Sequence, residues 1–142
     1  QNTGAIGRTC VALQAKLWLV RPLGFRVDEK TLRRAGLDYW QYLEWQTSDH
    51  WQDFREKLPA ARKWYFSRFA ERDFRSADFQ PGDALVFGSE TAGLPLSITR
   101  DHRQALLRIP TSEQVRSLNL SAAVAVAGYE WQRQCTNPGT VR

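Results

Sequence analysis

The chain has 142 residues, of which 42% are hydrophobic and 25% charged, a balance typical of one soluble globular domain. Twenty Lys and Arg against 15 Asp and Glu give a formal net charge of +5, which favours a polyanionic partner, although the same charge also serves solubility. No apolar run reaches the roughly 18 residues of a membrane span and no leader opens the chain, so we expect a cytoplasmic protein without membrane contact.

Short apolar runs alternate with helix-like segments along the chain. Strands are predicted at 15–20, 43–46, 63–69, 83–88 and 105–110. Helices are predicted at 4–13, 30–36, 48–58, 94–102 and 118–134, the third of them capped by one of residues 47–49. This alternation predicts an α/β fold over 1–142, a single domain whose mostly parallel sheet is covered by helices on both faces.

The last predicted helix, LNLSAAVAVAGYEWQRQ (118–134), has almost no polar side chain in its first ten positions. A surface helix would carry a polar stripe, so we expect this one to be buried on both sides. Small residues such as Ala122, Ala125 and Gly128 allow another backbone to approach closely, from within the fold or from a second subunit. A homodimer is the favoured hypothesis, and a central helix of a monomer is the alternative.

Cysteine and histidine are too sparse for a zinc site. Cys10 and Cys135 stand alone, as do His50 and His102, so we predict no bound metal and two thiols that pack in the interior. The chain contains no methionine and begins with Gln1, so we expect further residues to precede it in the complete protein.

Basic side chains form two clusters. The first contains Lys30, Arg33 and Arg34, and the second interleaves arginine with phenylalanine in Phe66, Arg68, Phe69, Arg72, Phe74 and Arg75. Guanidinium groups bind phosphates and aromatic rings stack on bases, which favours an RNA partner, although aromatic residues in a small domain more often belong to the core.

The segment NTGAIGR (2–8) combines a helix start with a basic side chain. Asn2 or Thr3 can cap the helix, whose first turn then exposes backbone N–H groups that hold anions, and Arg8 follows one or two turns later. A plain capped helix with a solvated arginine explains the same pattern.

The segment FGSETAGLP (87–95) connects a predicted strand to a predicted helix. Gly88 ends the strand where a side chain would prevent close approach, and Pro95 falls in the first turn of the helix. Ligands of open α/β sheets bind beyond the carboxyl ends of strands, and Glu90 would repel a phosphate there but suit a cation. The alternative is an ordinary turn in which Glu90 interacts with the helix dipole.

A third segment joins Ile109-Pro110 to SLNLS (117–121). Ser117, Asn119 and Ser121 gather where the apolar helix begins, and capping needs only one of them. Three polar residues at this point indicate a polar wall around a ligand.

Together these segments resemble the motifs of the SpoU-type branch of the SPOUT superfamily of RNA 2′-O-methyltransferases: N-x-x-G with a following Arg, F-G-x-E-x-x-G-L, and I-P with S-x-N-x-S. The block PLGFRVDEKTLRRAGLDYW (22–40) is similar to one that marks a bacterial subfamily acting on the wobble nucleotide, cytidine or modified uridine, of certain leucine tRNAs. The resemblance covers nearly the whole chain. Members of this family carry a further strand before the position that corresponds to Gln1. We expect this chain to lack that strand.

The resemblance implies a homodimer with a deep C-terminal trefoil knot, an exception to the rule that chains are not knotted. It implies S-adenosylmethionine as cofactor and the tRNA anticodon stem-loop as partner, with no metal. Cofactor contacts would fall on Phe66, Gly88, Ile109, Ser117 and Leu118. Catalytic roles would fall on Asn2, Arg8, Glu90, Ser117 and Asn119, and RNA-binding roles on Arg8, Arg33 and Arg34.

Other functions are compatible with parts of this pattern. The target could be another tRNA or rRNA site. A catalytically silent RNA-binding module of the same fold would keep the basic clusters but would have no reason to keep Glu90 and Asn119 together with Arg8. A Rossmann-like dehydrogenase would need G-x-G-x-x-G, which Gly4 and Gly7 do not supply.

Overall fold

A computed structural model describes residues 2–21 and 38–136. These residues form two compact units, a first that ends at Ala60 and a second that begins at Ala61. Strands pair only in parallel among the described residues, which confirms an α/β fold with parallel sheets, here in one sheet of two strands and one of four. No described helix is long and apolar enough to cross a bilayer. The predicted helix 30–36, with Arg33 and Arg34, lies outside the described residues.

The described residues of the first unit form two α-helices, one 3-10 helix and a pair of parallel strands. Its elements are α1 (Asn2–Leu13), β1 (Leu17–Val20), a 3-10 helix (Asp38–Tyr42), β2 (Trp45–Ser48) and α2 (Trp51–Lys57). Gly7 of α1 faces the 3-10 helix so closely that a Cβ there would lie 2.6 Å from the Trp40 ring. Cys10 is buried in the same core, as predicted, and burial raises the pKa of its thiol to about 11.

Two predicted helix caps in the first unit are wrong. Helix α1 already begins at Asn2, so Asn2 and Thr3 lie in its first turn rather than at the cap, and Thr3 is buried. Ser48 cannot cap α2 because it completes β2 and is only 1% exposed. The N-cap is His50, whose Nδ1 accepts a hydrogen bond of 3.1 Å from the backbone N–H of Asp53.

The second unit is built on a four-stranded parallel sheet in the order β4, β6, β3, β5. The strands are β3 (Lys63–Phe66), β4 (Arg72–Asp73), β5 (Ala84–Val86) and β6 (Leu106–Arg108), and the α-helices are α3 (Leu96–Thr99) and α4 (Leu120–Cys135). Single-turn 3-10 helices span Phe74–Ser76 and Arg103–Ala105. Because the strands run in parallel, the segments that follow β3, β5 and β6 leave the sheet at one edge.

Helix α4 differs from its prediction in both position and burial. It begins at Leu120 rather than at 118, and α3 covers only four residues of the predicted 94–102. Ala127 and Gly128 are buried against the unit, whereas Val126 is 42% and Tyr129 48% exposed. Within the described part of the second unit, α4 is therefore buried on one side only.

The carboxylate of Asp83 lies buried between the sheet and the turn that precedes β5. It accepts hydrogen bonds from Arg62 (Nη2 at 2.9 Å and Nε at 3.1 Å), from Trp64 Nε1 at 2.8 Å and from the backbone N–H of Gln80 at 2.8 Å. Burial by itself raises the pKa of Asp83, but these hydrogen bonds outweigh burial and hold the pKa below its ordinary value of 3.8.

The C-terminal end of α4 is anchored to the same turn by hydrogen bonds. The side-chain oxygen of Gln134 accepts a hydrogen bond of 2.9 Å from the backbone N–H of Phe79, and the Trp131 indole donates one of 3.1 Å to the carbonyl of Gln80. The half-buried thiol of Cys135 lies 3.7 Å from the carbonyl oxygen of Phe79. Asp83 thus fixes the backbone to which α4 is hydrogen-bonded.

We expect Asp83→Asn to lower the free energy of unfolding by about 2–4 kcal/mol, because the amide turns an N–H toward groups that are themselves donors. Asp73→Asn is the matched control, since the Asp73–Arg75 pair is solvent-exposed and screened by water and should contribute much less. Urea denaturation at neutral pH measures both, and equal losses would contradict the structural role of Asp83.

The effect of Asp83→Asn should also depend on pH. A carboxyl with a lowered pKa in the folded state stabilises the fold above its ordinary pKa of 3.8, and this stabilisation is lost as the pH falls through the folded-state value. The difference in stability between wild type and Asp83→Asn should therefore shrink in acid.

Candidate functional site at the strand ends

A cavity of about 590 Å³ opens in the second unit where β3, β5 and β6 end. This volume is within the range of roughly 300–1,000 Å³ that is usual for small-molecule sites. Its walls are formed by residues 66–69 after β3, 87–94 after β5 and Ile109 after β6. Residues 116–120, together with Ala123 in the first turn of α4, complete the wall. The cofactor candidates Phe66, Gly88, Ile109, Ser117 and Leu118 are therefore brought together around one cavity.

Two of the aromatic residues in the cavity wall form a pair of stacked rings at the ends of neighbouring strands. Phe66, the last residue of β3, and Phe87, which follows β5, lie with ring centroids 4.6 Å apart and planes inclined by 10°. Both rings pack against the core of the second unit together with Ile109. The wall is thus held rigidly by the sheet and offers an apolar surface.

The loop after Phe87 closes on itself. A Cβ added to Gly88 would lie 2.5 Å from the Gly93 carbonyl oxygen and would also meet the backbone of Leu94. The Gly93 N–H donates to the Ser89 carbonyl at 3.0 Å, and Gly93 itself adopts φ +68°. The predicted requirement for glycine at 88 is confirmed, although the group that approaches it is the chain's own backbone.

Glu90 lines the cavity from the tip of this loop and is exposed. Helix α3 begins only at Leu96, with Pro95 at the N-cap and no acidic residue in the first turn. An interaction between Glu90 and the dipole of α3 therefore does not explain its position, and Pro95 precedes the helix rather than lying in its first turn. The cavity wall also carries two cationic side chains, Arg68 and Arg116.

Capping accounts for two of the three polar residues at the start of α4. The Asn119 Oδ1 accepts hydrogen bonds from the backbone N–H of Ser121 at 2.9 Å and from its hydroxyl at 2.6 Å, so Asn119 is the N-cap. Ser117 is exposed on the cavity wall, next to Leu118, which is 37% exposed. The amide nitrogen of Asn119 is not used by the cap.

Asn2 and Arg8 belong to α1 of the first unit, whereas the cavity belongs to the second. Arg8 is exposed, and its guanidinium carbon lies 5.8 Å from the centre of the Tyr39 ring. The Tyr39 hydroxyl donates a hydrogen bond to the Gly4 carbonyl and so ties the 3-10 helix to α1. The ring that faces Arg8 is thereby fixed in place.

Sequence reasoning assigned no role to Phe87 or Arg116, both of which line the cavity. Phe87 opens the FGSETAGLP segment at the end of a predicted strand, and that position was a usable signal. Arg116 directly precedes Ser117 and could have been found from its charge beside the motif.

Comparisons with known proteins agree on one family. The profile of the SpoU rRNA methylase family matches residues 1–129. A tRNA (cytidine(34)-2′-O)-methyltransferase of Burkholderia ambifaria is 42% identical over 136 residues, which cover 94% of this chain and 87% of that protein. A structure solved to study the 2-OH methylation of C/U34 on tRNA superimposes with a TM-score of 0.86 and 45% identity, over 94% of this chain and 87% of that one. An AdoMet-bound rRNA methyltransferase from Sinorhizobium meliloti superimposes with a TM-score of 0.79 and 26% identity, over 96% of this chain and 52% of that one.

We expect Gly88→Ala to lower the free energy of unfolding by about 1–3 kcal/mol and to distort the cavity, because a methyl group there must push the backbone at Gly93 away. Gly82→Ala is the control: Gly82, unlike Gly88, has positive φ, and a Cβ on it would meet no atom within 4 Å, so the variant should lose only the backbone preference of about 1–2 kcal/mol. Because the two ranges overlap, the decisive measurement is a crystal structure of each variant. An unmoved loop in Gly88→Ala would contradict the packing described above.

Proposed function

The chain belongs to the SpoU rRNA methylase family, and from this premise we propose that it transfers a methyl group from S-adenosylmethionine to the ribose 2′-hydroxyl of the wobble nucleotide of tRNA. The observation that carries the proposal is the convergence of three strand-end segments, which contain the second and third motifs, on one cavity. The names of the relatives, which specify cytidine 34 of tRNA, support the choice of target.

The cavity fits the proposed cofactor in size and in its apolar wall. Phe66, Gly88 and Ile109 would contact the adenosine part, and Ser117 and Leu118 would complete the wall. When bound, S-adenosylmethionine supplies a methyl group on a positively charged sulfur. Glu90 carries a negative charge on the cavity wall and would stabilise such a cation.

As the ribose oxygen bonds to the methyl carbon, the carbon–sulfur bond breaks and a neutral thioether leaves. The hydroxyl proton passes to solvent water, and the oxygen carries developing negative charge during that step. We assign to Arg8 the binding of the adjacent phosphate and the stabilisation of this charge, because a guanidinium keeps its proton in proteins. Asn2, Ser117 and Asn119 would position the ribose. Since the Asn119 oxygen is engaged by Ser121, Asn119 would act through its amide N–H groups.

For the substrate we propose the anticodon stem-loop of leucine tRNAs, with cytidine or a modified uridine at the wobble position, in the cytoplasm. The net charge of +5 supports a nucleic-acid partner, and Arg33 and Arg34 would join Arg8 in binding it. Methylation at another tRNA or rRNA site is the alternative.

For the assembly we propose a single SPOUT domain that works as a homodimer, each site completed by its neighbour. Segments 88–95 and 109–121 would form the trefoil knot through which α4 passes. The exposed face of α4 supports the dimer: Ala122, Val126 and Tyr129 follow one another at helical spacing and are all exposed in a single chain.

Labelled S-adenosylmethionine and defined tRNA transcripts test the reaction. We expect label at nucleotide 34 of a leucine tRNA, and none when nucleotide 34 is replaced by its 2′-deoxy counterpart. Label that persists on the deoxy transcript would favour another site, and a protein that binds tRNA without any transfer would be the silent module.

In the same assay, Arg8→Ala should lower turnover by about two to three orders of magnitude and leave the affinity for S-adenosylmethionine nearly unchanged, because one stabiliser of transition-state charge is lost. Arg55→Ala, which removes an exposed arginine from α2 of the same unit, is the matched control and should be active. A large loss of cofactor affinity in Arg8→Ala would contradict the role assigned to Arg8.

We expect wild type to be dimeric and Val126→Glu monomeric by light scattering, because a carboxylate buried in an apolar interface is strongly unfavourable. Val126 is exposed in the single chain, so the fold itself should persist, as judged by circular dichroism. Tyr42→Glu, at a 72% exposed residue of the first unit, is the control. A dimer that survives Val126→Glu would rule out this face.

A further inference from the structure

The arginine- and phenylalanine-rich segment 66–75 separates in the structure into fold-forming members and exposed ones. Phe66 and Phe74 are buried in the core. Arg72 donates a hydrogen bond of 2.7 Å to the Gln104 carbonyl, and Arg75 forms an ion pair with Asp73. These four side chains are explained by the fold, and only Arg68 and Phe69 are left.

Phe69 is the most exposed of the large hydrophobic residues in the described part of the chain, at 78%. The Arg68 guanidinium carbon lies 4.6 Å from the centre of its ring, which is close enough for a cation–π contact. Both residues line the mouth of the cavity, and Arg68 forms no ion pair with a described carboxylate. An aromatic ring with a guanidinium beside it is therefore presented to solvent at the site.

The exposure of Phe69 is imposed by a structured turn. The Ser67 N–H donates to the Leu107 carbonyl of β6 at 2.9 Å, and the Ser67 hydroxyl accepts from the Phe69 N–H at 3.1 Å. The turn ends at Ala70, which is 3% exposed and donates from its N–H to the Ser67 carbonyl at 3.3 Å. Because both ends of the turn are anchored, the backbone that carries the ring is ordered before any ligand arrives, so no backbone entropy has to be lost when the ring is covered.

Resting on the function proposed above, we propose that Phe69 and Arg68 form a stacking platform for a nucleobase of the RNA substrate at the mouth of the cavity. Bases stack on aromatic side chains and on guanidinium planes, and Arg68 can also reach the phosphate of the stacked nucleotide. The charge around the mouth agrees, because among the described residues that line the cavity Arg68 and Arg116 outnumber the single carboxylate, Glu90. Phe69 is thus a positioning residue that orients the RNA and takes no part in the transfer itself.

Three substitutions of Phe69 test the platform because they separate stacking from hydrophobic contact. Phe69→Ala and Phe69→Leu remove the ring, and Phe69→Trp keeps a stacking surface. We expect the first two to raise the KM for tRNA about tenfold, the effect of losing one stacked base, with the Kd for S-adenosylmethionine unchanged and turnover at saturating tRNA close to wild type. Phe69→Trp should behave as wild type. Tyr42→Ala, which removes an equally exposed ring from the first unit, should leave KM unchanged.

A direct readout uses tRNA anticodon stem-loops that carry 2-aminopurine, singly, at each loop position. We expect its fluorescence to be quenched on binding to wild type and Phe69→Trp at one position, and this quenching to be lost in Phe69→Leu. A Phe69→Ala variant with wild-type KM for tRNA would overturn the platform while leaving the proposed function intact. A loss of S-adenosylmethionine affinity would overturn it by assigning the ring to the cofactor. A wild-type protein that methylates no tRNA would overturn the proposed function and, with it, the platform.

Discussion

The buried carboxylate of Asp83 is the interaction on which the second unit most depends. It accepts hydrogen bonds from β3, from the residue before β3 and from the turn before β5. The same turn is hydrogen-bonded to the C-terminal end of α4. The N-terminal end of α4 forms part of the cavity wall, so this helix joins the cavity to the turn that Asp83 holds. A polar group with all its partners in place is well suited to this task, since alternative packings would leave it unsatisfied.

The cavity is shaped by backbone before any side chain is considered. Gly88 and Gly93 bring the two arms of one loop into contact, and the Ser89 hydroxyl and carbonyl accept hydrogen bonds from within the loop. Glu90 is not held by these hydrogen bonds and is exposed at the tip of the loop. Preorganisation of this kind lowers the cost of binding, because the protein does not have to order the loop when a ligand arrives.

Much of the fold could be predicted from local sequence. Each of the five predicted strands overlaps an observed one, because each apolar run is short and ends at a turn signal. The strand that was missed, β4, has only two residues, Arg72 and Asp73, with no apolar pattern to reveal it. Local reasoning placed the cap of α2 at residues 47–49, because it could not foresee that pairing with β1 would extend β2 through Ser48.

The outline of the site could also be predicted from local sequence. Strand ends and glycines are visible in sequence, so the segments around Gly88, Ile109 and Ser117 could be placed at one edge of the sheet. The residue pattern alone could not distinguish the exposed ring of Phe69 from the buried rings of Phe66 and Phe74, since all three lie in the same basic, aromatic run. Only the family resemblance singled out Phe66. Only the turn at Ser67 decides that one ring faces solvent while the others enter the core.

Helix α4 carries an exposed apolar face at Ala122, Val126 and Tyr129 and forms part of the cavity wall at its first turn. Any partner that covers this face therefore acts on the helix that also shapes the cavity. Reciprocity of binding free energies requires that if association through this face changes the affinity of the cavity for its ligand, then filling the cavity changes the association constant by the same factor. Dilution of the protein would then act as a regulatory variable, because it alters how firmly the ligand is held.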